Sequence, residues 1–279
     1  MDLGEKFLTE LLADLKNNRL DLPTLPEVAI KVRRVVEDGN ASATQIARIV
    51  GIDASLSARL IQVANSPLFR GTSKIDNLQV AVARLGNDQV RSLVTSLIMR
   101  QVYQTRHPAL RQRMQELWLH STEVAAISQV LARRYTRLNP EQAMLAGLIH
   151  DIGALPILAR AESTAAPNLD PAALDGILEK LHTVLGRVIL ETWKFPPELV
   201  AVVAQHEDLR YQSDNGPDYV DVVLVANLHS RIGTPHRHGK VAWAEIPAFA
   251  RLGLTPAESL KAMEETRRDI REIQTLLAA

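Results

Sequence analysis

The spacing of the apolar residues is the sequence feature that most restricts the fold of this chain. Apolar side chains recur at intervals of three and four, in stripes such as Phe7, Leu8, Leu11, Leu12, Leu15 and Val28, Val32, Val35, Val36. That period places them on one face of an α-helix, whereas a strand requires alternation at every second residue. Alternating β-branched runs are almost absent, and aromatic residues make up only 4% of the chain. The pattern predicts an all-α protein.

Helix-start signals lie between these stripes. Ser42 and Gln45 have the spacing of a capping box, in which the first side chain accepts from a free amide of the first turn and the second reaches back. Further starts are predicted where a cap residue precedes a proline or a helical pattern, at Asn139-Pro140, Thr255-Pro256, Asp53 and Asn87.

The apolar period is interrupted at residues 105–108, between several short helical patterns and one long pattern. A length of 279 residues suggests about two domains. We expect an N-terminal helical subdomain at residues 1–106, a helical core at 107–233, and a C-terminal loop and helix at 234–279. The C-terminal segment predicts one buried face, formed by Leu260, Met263, Ile270, Ile273, Leu276 and Leu277. This face could pack back on the core or form a homodimer.

Composition excludes several classes of protein. The chain has no cysteine, which excludes disulfide frameworks, thiol catalysis, iron–sulfur clusters and cysteine zinc sites. Its 32 Lys and Arg balance 32 Asp and Glu, so binding to nucleic acid or an anionic membrane is not expected. No apolar run reaches the roughly 18 residues of a membrane span, and the N-terminal residues lack a signal-peptide pattern. We therefore expect a cytoplasmic protein.

One basic stretch offers an alternative, because an arginine run could bind RNA or another anion. Its members are Arg84, Arg91, Arg100, Arg106, Arg111 and Arg113. Helical spacing distributes these side chains around a cylinder, which favours an ordinary solvated surface.

Histidine is the residue type that points to chemistry. Phosphate-binding glycine motifs, a nucleophile elbow and a zinc-protease helix are all missing. Four histidines lie within apolar helical patterns, His120, His150, His182 and His206, and Asp151 follows His150 directly. Nitrogen and oxygen ligands of this kind suit Mn, Fe, Mg or Zn acting on phosphate esters. The alternative is a set of buried core histidines. His236 and His238 lie in a polar segment and are predicted to be exposed.

An ordered set of motifs resembles the HDOD domain, the bacterial HD-related output domain. The resemblance extends over about residues 20–233. It is carried by Leu22-Pro23-Thr24-Leu25-Pro26-Glu27-Val28, Asp53-Ala54-Ser55-Leu56-Ser57-Ala58-Arg59-Leu60, Ala64-Asn65-Ser66 with Pro67, Ala81–Gly86, Trp118-Leu119-His120-Ser121, Gly147–Gly153, and the later His182, Gly186, Trp193, Pro196 and His206. It implies a multi-helix HD-domain-like fold with an N-terminal helical subdomain. Most of the non-histidine motif residues are expected to be structural.

The resemblance also implies a ligand set. In the related HD phosphohydrolases, a His, the His-Asp pair and a distant Asp hold a metal; His120, His150 and Asp151 match the first three, but Asn227 stands where the distant Asp is expected. Asp221 lies six residues earlier on the same predicted helix, about 120° away around its axis, and is not expected to substitute. The related HD-GYP phosphodiesterases use further histidines at positions that His182 and His206 match. Their lysine is replaced by Ala154, Gln205 stands in place of a paired histidine, and their Gly-Tyr-Pro loop is missing.

Two functions follow from this resemblance. The favoured hypothesis is a bacterial signal-transduction regulator that acts by binding proteins or ligands, with signalling proteins as partners and the His-Asp cluster as a non-catalytic buried network. No cofactor is then expected, although a divalent metal (Fe, Mn, Mg or Zn) remains an option. The competing hypothesis is a metal-dependent phosphohydrolase or phosphodiesterase with an altered ligand set.

Overall fold

The computed structural model describes residues 3–17, 19–37, 41–67, 69, 73–104, 108–163, 170–234 and 242–278. Within these ranges the chain is helical and contains no strand, which confirms the all-α prediction. The helices are α1 (Leu3–Lys16), α2 (Glu27–Glu37), α3 (Ala43–Val50), α4 (Ala54–Ala64), α5 (Leu78–Leu85), α6 (Asn87–Met99), α7 (Pro108–Tyr135), α8 (Pro140–Ile149), α9 (Ala154–Ser163), α10 (Pro171–Thr192), α11 (Pro197–Gln205), α12 (Tyr219–Ser230), α13 (Pro247–Arg251), α14 (Pro256–Glu265) and α15 (Arg267–Ala278), with a short 3₁₀ turn at Trp243–Glu245.

Most predicted helix starts are confirmed. Ser42 with Gln45 and Thr255 with Glu258 form capping boxes, and the Asp53 and Asn139 side chains accept from the first turns of α4 and α8. Asn87 is not an N-cap, so that prediction was wrong.

Gly86 takes the cap position of α6 instead, because one residue must join α5 to α6 and only glycine readily adopts its φ of +82°. The Asn87 amide is used elsewhere and donates to the Ala41 carbonyl at 2.7 Å.

The N-terminal helices form a layer that packs on the rest of the molecule through α6 and α8. Within this layer, Asn65 of the Ala-Asn-Ser motif has a structural role. Its side-chain amide donates to the carbonyl of Ile75 at 2.6 Å, and its Oδ1 accepts from the amide of Ile75 at 2.8 Å. These bonds hold the segment that leads into α5 against the end of α4.

Two distant motifs of the family pattern meet between this layer and α10. The Trp193 indole donates to the carbonyl of Pro23 at 3.0 Å. The guanidinium of Arg33 donates to the carbonyls of Trp193 and Lys194 at 2.9 and 2.7 Å, and lies 4.8 Å from the centre of the Phe195 ring. Contacts of this kind bind the Leu-Pro segment before α2 to the turn after α10.

The long helix α7 is the central element, since α8, α12 and α15 all pack along it. Gly147 permits the close approach of α8, because a Cβ there would lie 2.9 Å from the Cα of Ala125. Residues 140–162 include an 18-residue window long and apolar enough to span a membrane, but 89% of that window is buried inside the protein. The apolar side chains of this window therefore form part of the protein core.

The C-terminal helix packs back on α7, with Ile273 and Leu277 only 2% exposed. The predicted buried face is wrong at Leu260, which is 44% exposed. The side of α14 that faces the core presents Ser259 and Ala262, so Leu260 lies on another side of the helix.

The first predicted domain boundary, between residues 106 and 107, lies outside the described residues, and the second, between residues 233 and 234, falls just after α12; the three-part division stays a prediction. His236 and His238 also lie outside the described residues.

Candidate metal centre

Five predicted site residues converge from four parts of the fold. His120 lies in α7, His182 lies in α10, and His206 ends α11. His150 ends α8, and Asp151 begins the short turn between α8 and α9. Helix α8 stops there, so the adjacent His150 and Asp151 side chains can both face the same centre.

The carboxylate of Asp151 lies in the middle of the four imidazoles. Its Oδ2 is 3.6 Å from His120 Nε2 and 3.3 Å from His150 Nε2. Its Oδ1 is 3.5 Å from His182 Nε2 and 3.2 Å from His206 Nε2. Each carboxylate oxygen therefore belongs to a group of two imidazoles and one oxygen, and each group is compact enough to hold a metal ion.

Hydrogen bonds on the far side of the rings fix the three most buried imidazoles. Nδ1 of His150, His182 and His206 lies 2.7, 2.8 and 3.1 Å from the backbone carbonyls of residues 147, 178 and 202. A carbonyl can only accept, so each Nδ1 carries the proton and each neutral ring presents a bare Nε2 to the centre.

The fourth imidazole is oriented by a serine. His120 Nδ1 lies 3.2 Å from Ser230 Oγ, while the Ser230 hydroxyl donates to the carbonyl of Asn227 at 2.9 Å. Since that hydroxyl proton is already used, the serine oxygen accepts from His120 Nδ1. The Nε2 of His120 is then also bare when the ring is neutral.

The pKa values of two of the histidines, His120 and His206, agree with this assignment. Burial lowers the pKa of His120 well below its ordinary value, with His150 and Arg231 adding to the effect, and burial also lowers the pKa of His206. For Asp151, burial raises the pKa, but charge and hydrogen bonds from His150, His206 and His182 outweigh it, an effect that requires protons on these imidazoles in place of bare Nε2 atoms. The pKa of this carboxyl is thus held well below its ordinary value.

This arrangement fits a divalent cation. Bare nitrogen acceptors approach each other at 3.2 Å (His120 with His150) and 3.3 Å (His182 with His206) around a carboxylate. Acceptors alone repel one another, so the cluster is stable only with protons or a metal ion at its centre. Imidazole and carboxylate suit Mn, Fe and Zn.

The cluster opens into a cleft of about 700 Å³. His120, Asp151 and His182 contribute to its wall, together with Arg113 and Arg231. A wholly enclosed polar network would have no such opening. A ligand in the cleft would contact the cluster directly.

Asn227 and Asp221, the two residues considered for the distant acid, are both buried in α12. Asn227 is 2% exposed, and its Oδ1 has no hydrogen-bond partner among the described residues. Asp221 is fully buried and pairs with Arg251, whose Nε lies 3.0 and 2.9 Å from its two carboxylate oxygens. Asp221 therefore pairs with Arg251 and is not part of the His-Asp cluster.

Sequence reasoning missed two residues at the end of α12. Ser230 orients His120, and Arg231 Nη2 lies 3.7 Å from Asp151 Oδ2. Their positions, three and four residues after Asn227, were the available signal, because that spacing shares one side of a helix.

The fold and the centre together define a helical protein of the HD-related type, with a His-Asp cluster able to hold metal. The chain belongs to the HDOD domain family, whose sequence profile matches residues 22–209.

Solved structures of similar proteins cover nearly the whole chain. A protein of Shewanella amazonensis SB2B, provisionally named a metal-dependent phosphohydrolase, is 33% identical with a TM-score of 0.82, covering 98% of this chain and 100% of that one. An HDOD domain protein of unknown function from Geobacter sulfurreducens is 21% identical with a TM-score of 0.71, over 98% and 97% of the two chains. The latter likeness shows the fold alone.

A curated relative is longer than this chain. An uncharacterized protein of Treponema pallidum (strain Nichols) is 23% identical over 253 residues, covering 86% of this chain and 47% of that protein. The chain thus spans about half the length of this relative.

Proposed function

We propose that this protein is a bacterial signal-transduction regulator whose HDOD domain binds a divalent metal and, beside it, a ligand that carries phosphate. The observation that carries the proposal is the convergence of four imidazole Nε2 atoms on the Asp151 carboxylate at the wall of an open cleft. His120, His150, Asp151, His182 and His206 are the candidate ligands, in two groups that share Asp151.

Charge supports an anionic ligand. The cluster contains one carboxylate, whose single negative charge does not neutralise a divalent ion. The cleft wall carries Arg231 and Arg113 but also Glu116, Asp175, Glu179 and Glu207, so the positive charge that attracts an anion would come from the metal with Arg231 beside it. When bound, the metal would supply a Lewis acid that attracts and polarises phosphate oxygens.

The protein's own residues would position that ion and the ligand. The carbonyl bonds to His150, His182 and His206 keep each Nε2 directed at the centre, and Ser230 does the same for His120. Arg231 presents guanidinium donors to an incoming phosphate from the same wall of the cleft.

Binding without turnover is the preferred form of the proposal because of three residues. Asn227 is neutral where the related phosphohydrolases have an acid. Asp221 does not replace that acid, because its carboxylate pairs with Arg251. Ala154 places only a methyl group on the cleft wall where related phosphodiesterases have a lysine. Gln205 is exposed rather than part of the cluster. A cytoplasmic location and signalling proteins as partners belong to the proposal and rest on the family resemblance.

A second candidate is a metal-dependent phosphohydrolase. It is favoured by the openness of the cleft and by the position of Asp151 between two ligand groups, which resembles the way two-metal hydrolases share a carboxylate. The provisional name of the Shewanella protein agrees with this candidate.

Metal analysis of the untagged protein tests the proposal first. We expect bound Mn, Fe or Zn in the wild type, loss of that metal in Asp151→Ala, whose carboxylate both ligand groups share, and retention in His229→Gln, a buried histidine outside the cluster. Calorimetric titration with inorganic phosphate should then detect binding only to the metal-loaded protein. Absence of metal from the wild type after incubation with each ion would refute the proposal.

A hydrolysis assay separates the two candidates. The metal-loaded protein is incubated with cyclic dinucleotides and an activated phosphodiester, and product is measured against His150→Ala. Turnover that His150→Ala abolishes would replace the regulator by the phosphohydrolase; binding without turnover supports the regulator.

A further inference from the structure

The two oxygens of the Asp151 carboxylate have different surroundings. Oδ1 contacts the imidazoles of His182 and His206, both buried. Oδ2 contacts His120 and His150, and Arg231 makes its nearest approach to the carboxylate at this same oxygen, 3.7 Å away. Each ligand group therefore offers two imidazole nitrogens and one carboxylate oxygen, but only the Oδ2 group lies beside the positive charge of Arg231.

We infer that this chain holds a single divalent ion, at Asp151 Oδ1 with His182 and His206, and that Arg231 excludes a second ion from the Oδ2 group. The inference rests on the proposed function and specifies which part of the cluster holds metal. Arg231 is thus a residue that sets metal stoichiometry, a role that no motif in the sequence predicts.

The Coulomb argument favours the Oδ1 group. An ion held at Oδ2 would share that oxygen with a guanidinium, and like charges at such separations repel strongly where water is scarce. The Asp151 and Arg231 side chains are 11% and 24% exposed, so screening by solvent is limited. At Oδ1 the described contacts are the two imidazoles.

The end of α12 fixes the backbone of Arg231. The Arg231 amide donates to the carbonyls of Asn227 and Leu228, both at 3.2 Å, and its side-chain Nε is buried. Asn227 lies one turn earlier and is neutral, so α12 contributes a positive charge and no negative one to this half of the cluster. An aspartate at position 227 would reverse that balance.

The first experiment counts metal ions in charge variants. Wild type, Arg231→Gln, Arg231→Lys, Asn227→Asp and the control Arg113→Gln are loaded with Mn²⁺, desalted and analysed by mass spectrometry and electron paramagnetic resonance. Arg113 is a matched control because it lines the same cleft but pairs with Asp175. We expect one ion in wild type, Arg231→Lys and Arg113→Gln, and two in Arg231→Gln and Asn227→Asp, where exchange coupling broadens the spectrum.

The outcomes separate this inference from the proposed function. Two ions in the wild type, or one ion still in Arg231→Gln, would overturn the inference while leaving the proposed metal site intact. No ion in the wild type would contradict the proposed function itself, and the inference with it.

A second experiment locates the ion without altering Arg231. His182→Ala should weaken Mn²⁺ binding by more than about 100-fold, beyond the effect of losing an outer hydrogen-bond partner. His120→Ala should leave the affinity for the first ion unchanged, with thermal unfolding checked for both variants. Loss of binding in His120→Ala but not in His182→Ala would assign the ion to the Oδ2 group and overturn the inference.

Discussion

Gly153 lies directly against the backbone of His182, so closely that a Cβ at residue 153 would be 1.8 Å from the His182 carbonyl oxygen. It would also lie 2.4 Å from the amide nitrogen of Gly186, one turn further along α10. The glycine after the His-Asp pair therefore allows α10 to approach the turn that carries Asp151. This contact brings His182 within reach of the carboxylate.

Replacing that glycine should damage both stability and the site. Gly153→Ala must displace α10, and we expect the free energy of unfolding to fall by more than about 3 kcal/mol, as for severe overpacking. Metal affinity should fall as His182 moves. Urea denaturation and metal titration measure the two effects.

The matched control, Gly176, lies on α10, the helix that Gly153 contacts. A Cβ at Gly176 would have nothing within 4 Å, so Gly176→Ala should raise stability by about 0.5–1 kcal/mol through helix propensity. Equal destabilisation by both substitutions would contradict the close-approach argument.

The contact between the N-terminal layer and α10 should depend on Arg33. Its guanidinium donates to two backbone carbonyls and stacks near Phe195, so Arg33→Ala should cost about 2–3 kcal/mol of unfolding free energy. The neighbouring Arg34 is exposed, and Arg34→Ala should change stability by less than about 0.5 kcal/mol. Similar values for the two variants in chemical denaturation would show that the contact contributes little.

Asp221 and Arg251 form a buried pair that a double-mutant cycle can test. Arg251→Ala leaves a fully buried carboxylate without its partner and should destabilise the protein by about 3–5 kcal/mol. Adding Asp221→Asn removes the buried charge, so the double variant should be more stable than Arg251→Ala alone. Additive losses in the cycle would contradict the pairing.

Acid should destabilise the protein partly through His229, which lies outside the metal cluster. Burial lowers the pKa of His229 to about 4, whereas the unfolded chain titrates near 6.5. Between these values the unfolded state binds more protons, so stability falls as pH decreases through this window, by about 3 kcal/mol in total. His229→Gln should remove that part of the pH dependence. An unchanged slope between pH 6.5 and 4 in denaturation curves of the variant would contradict it.

The sequence alone determined the helical class and the identity of the residues that form the His-Asp cluster. Among regular structures, only the α-helix places residues spaced three and four apart on one face. Cap residues such as Ser42 and Asp53 bond within one helical turn, so the local sequence is enough to predict these helix starts. The motifs of the HDOD pattern likewise identified the histidines and Asp151. At Asn87 and Leu260 the same reasoning failed, because Gly86 and the packing of α14 decided those positions.

Only the tertiary structure decided how the five residues are arranged. The sequence favoured a buried polar network; in the fold the cluster is buried, lies at the wall of a cleft and is divided between the two oxygens of Asp151. It also brings Arg231 beside Oδ2 and Ser230 against His120, residues 80 and 110 positions from their partners along the chain. Local pattern cannot encode such distances, since they depend on how α7, α10 and α12 pack around one turn. The sequence already shows the histidines; what the three-dimensional structure adds is the position of the Arg231 charge beside the carboxylate of Asp151.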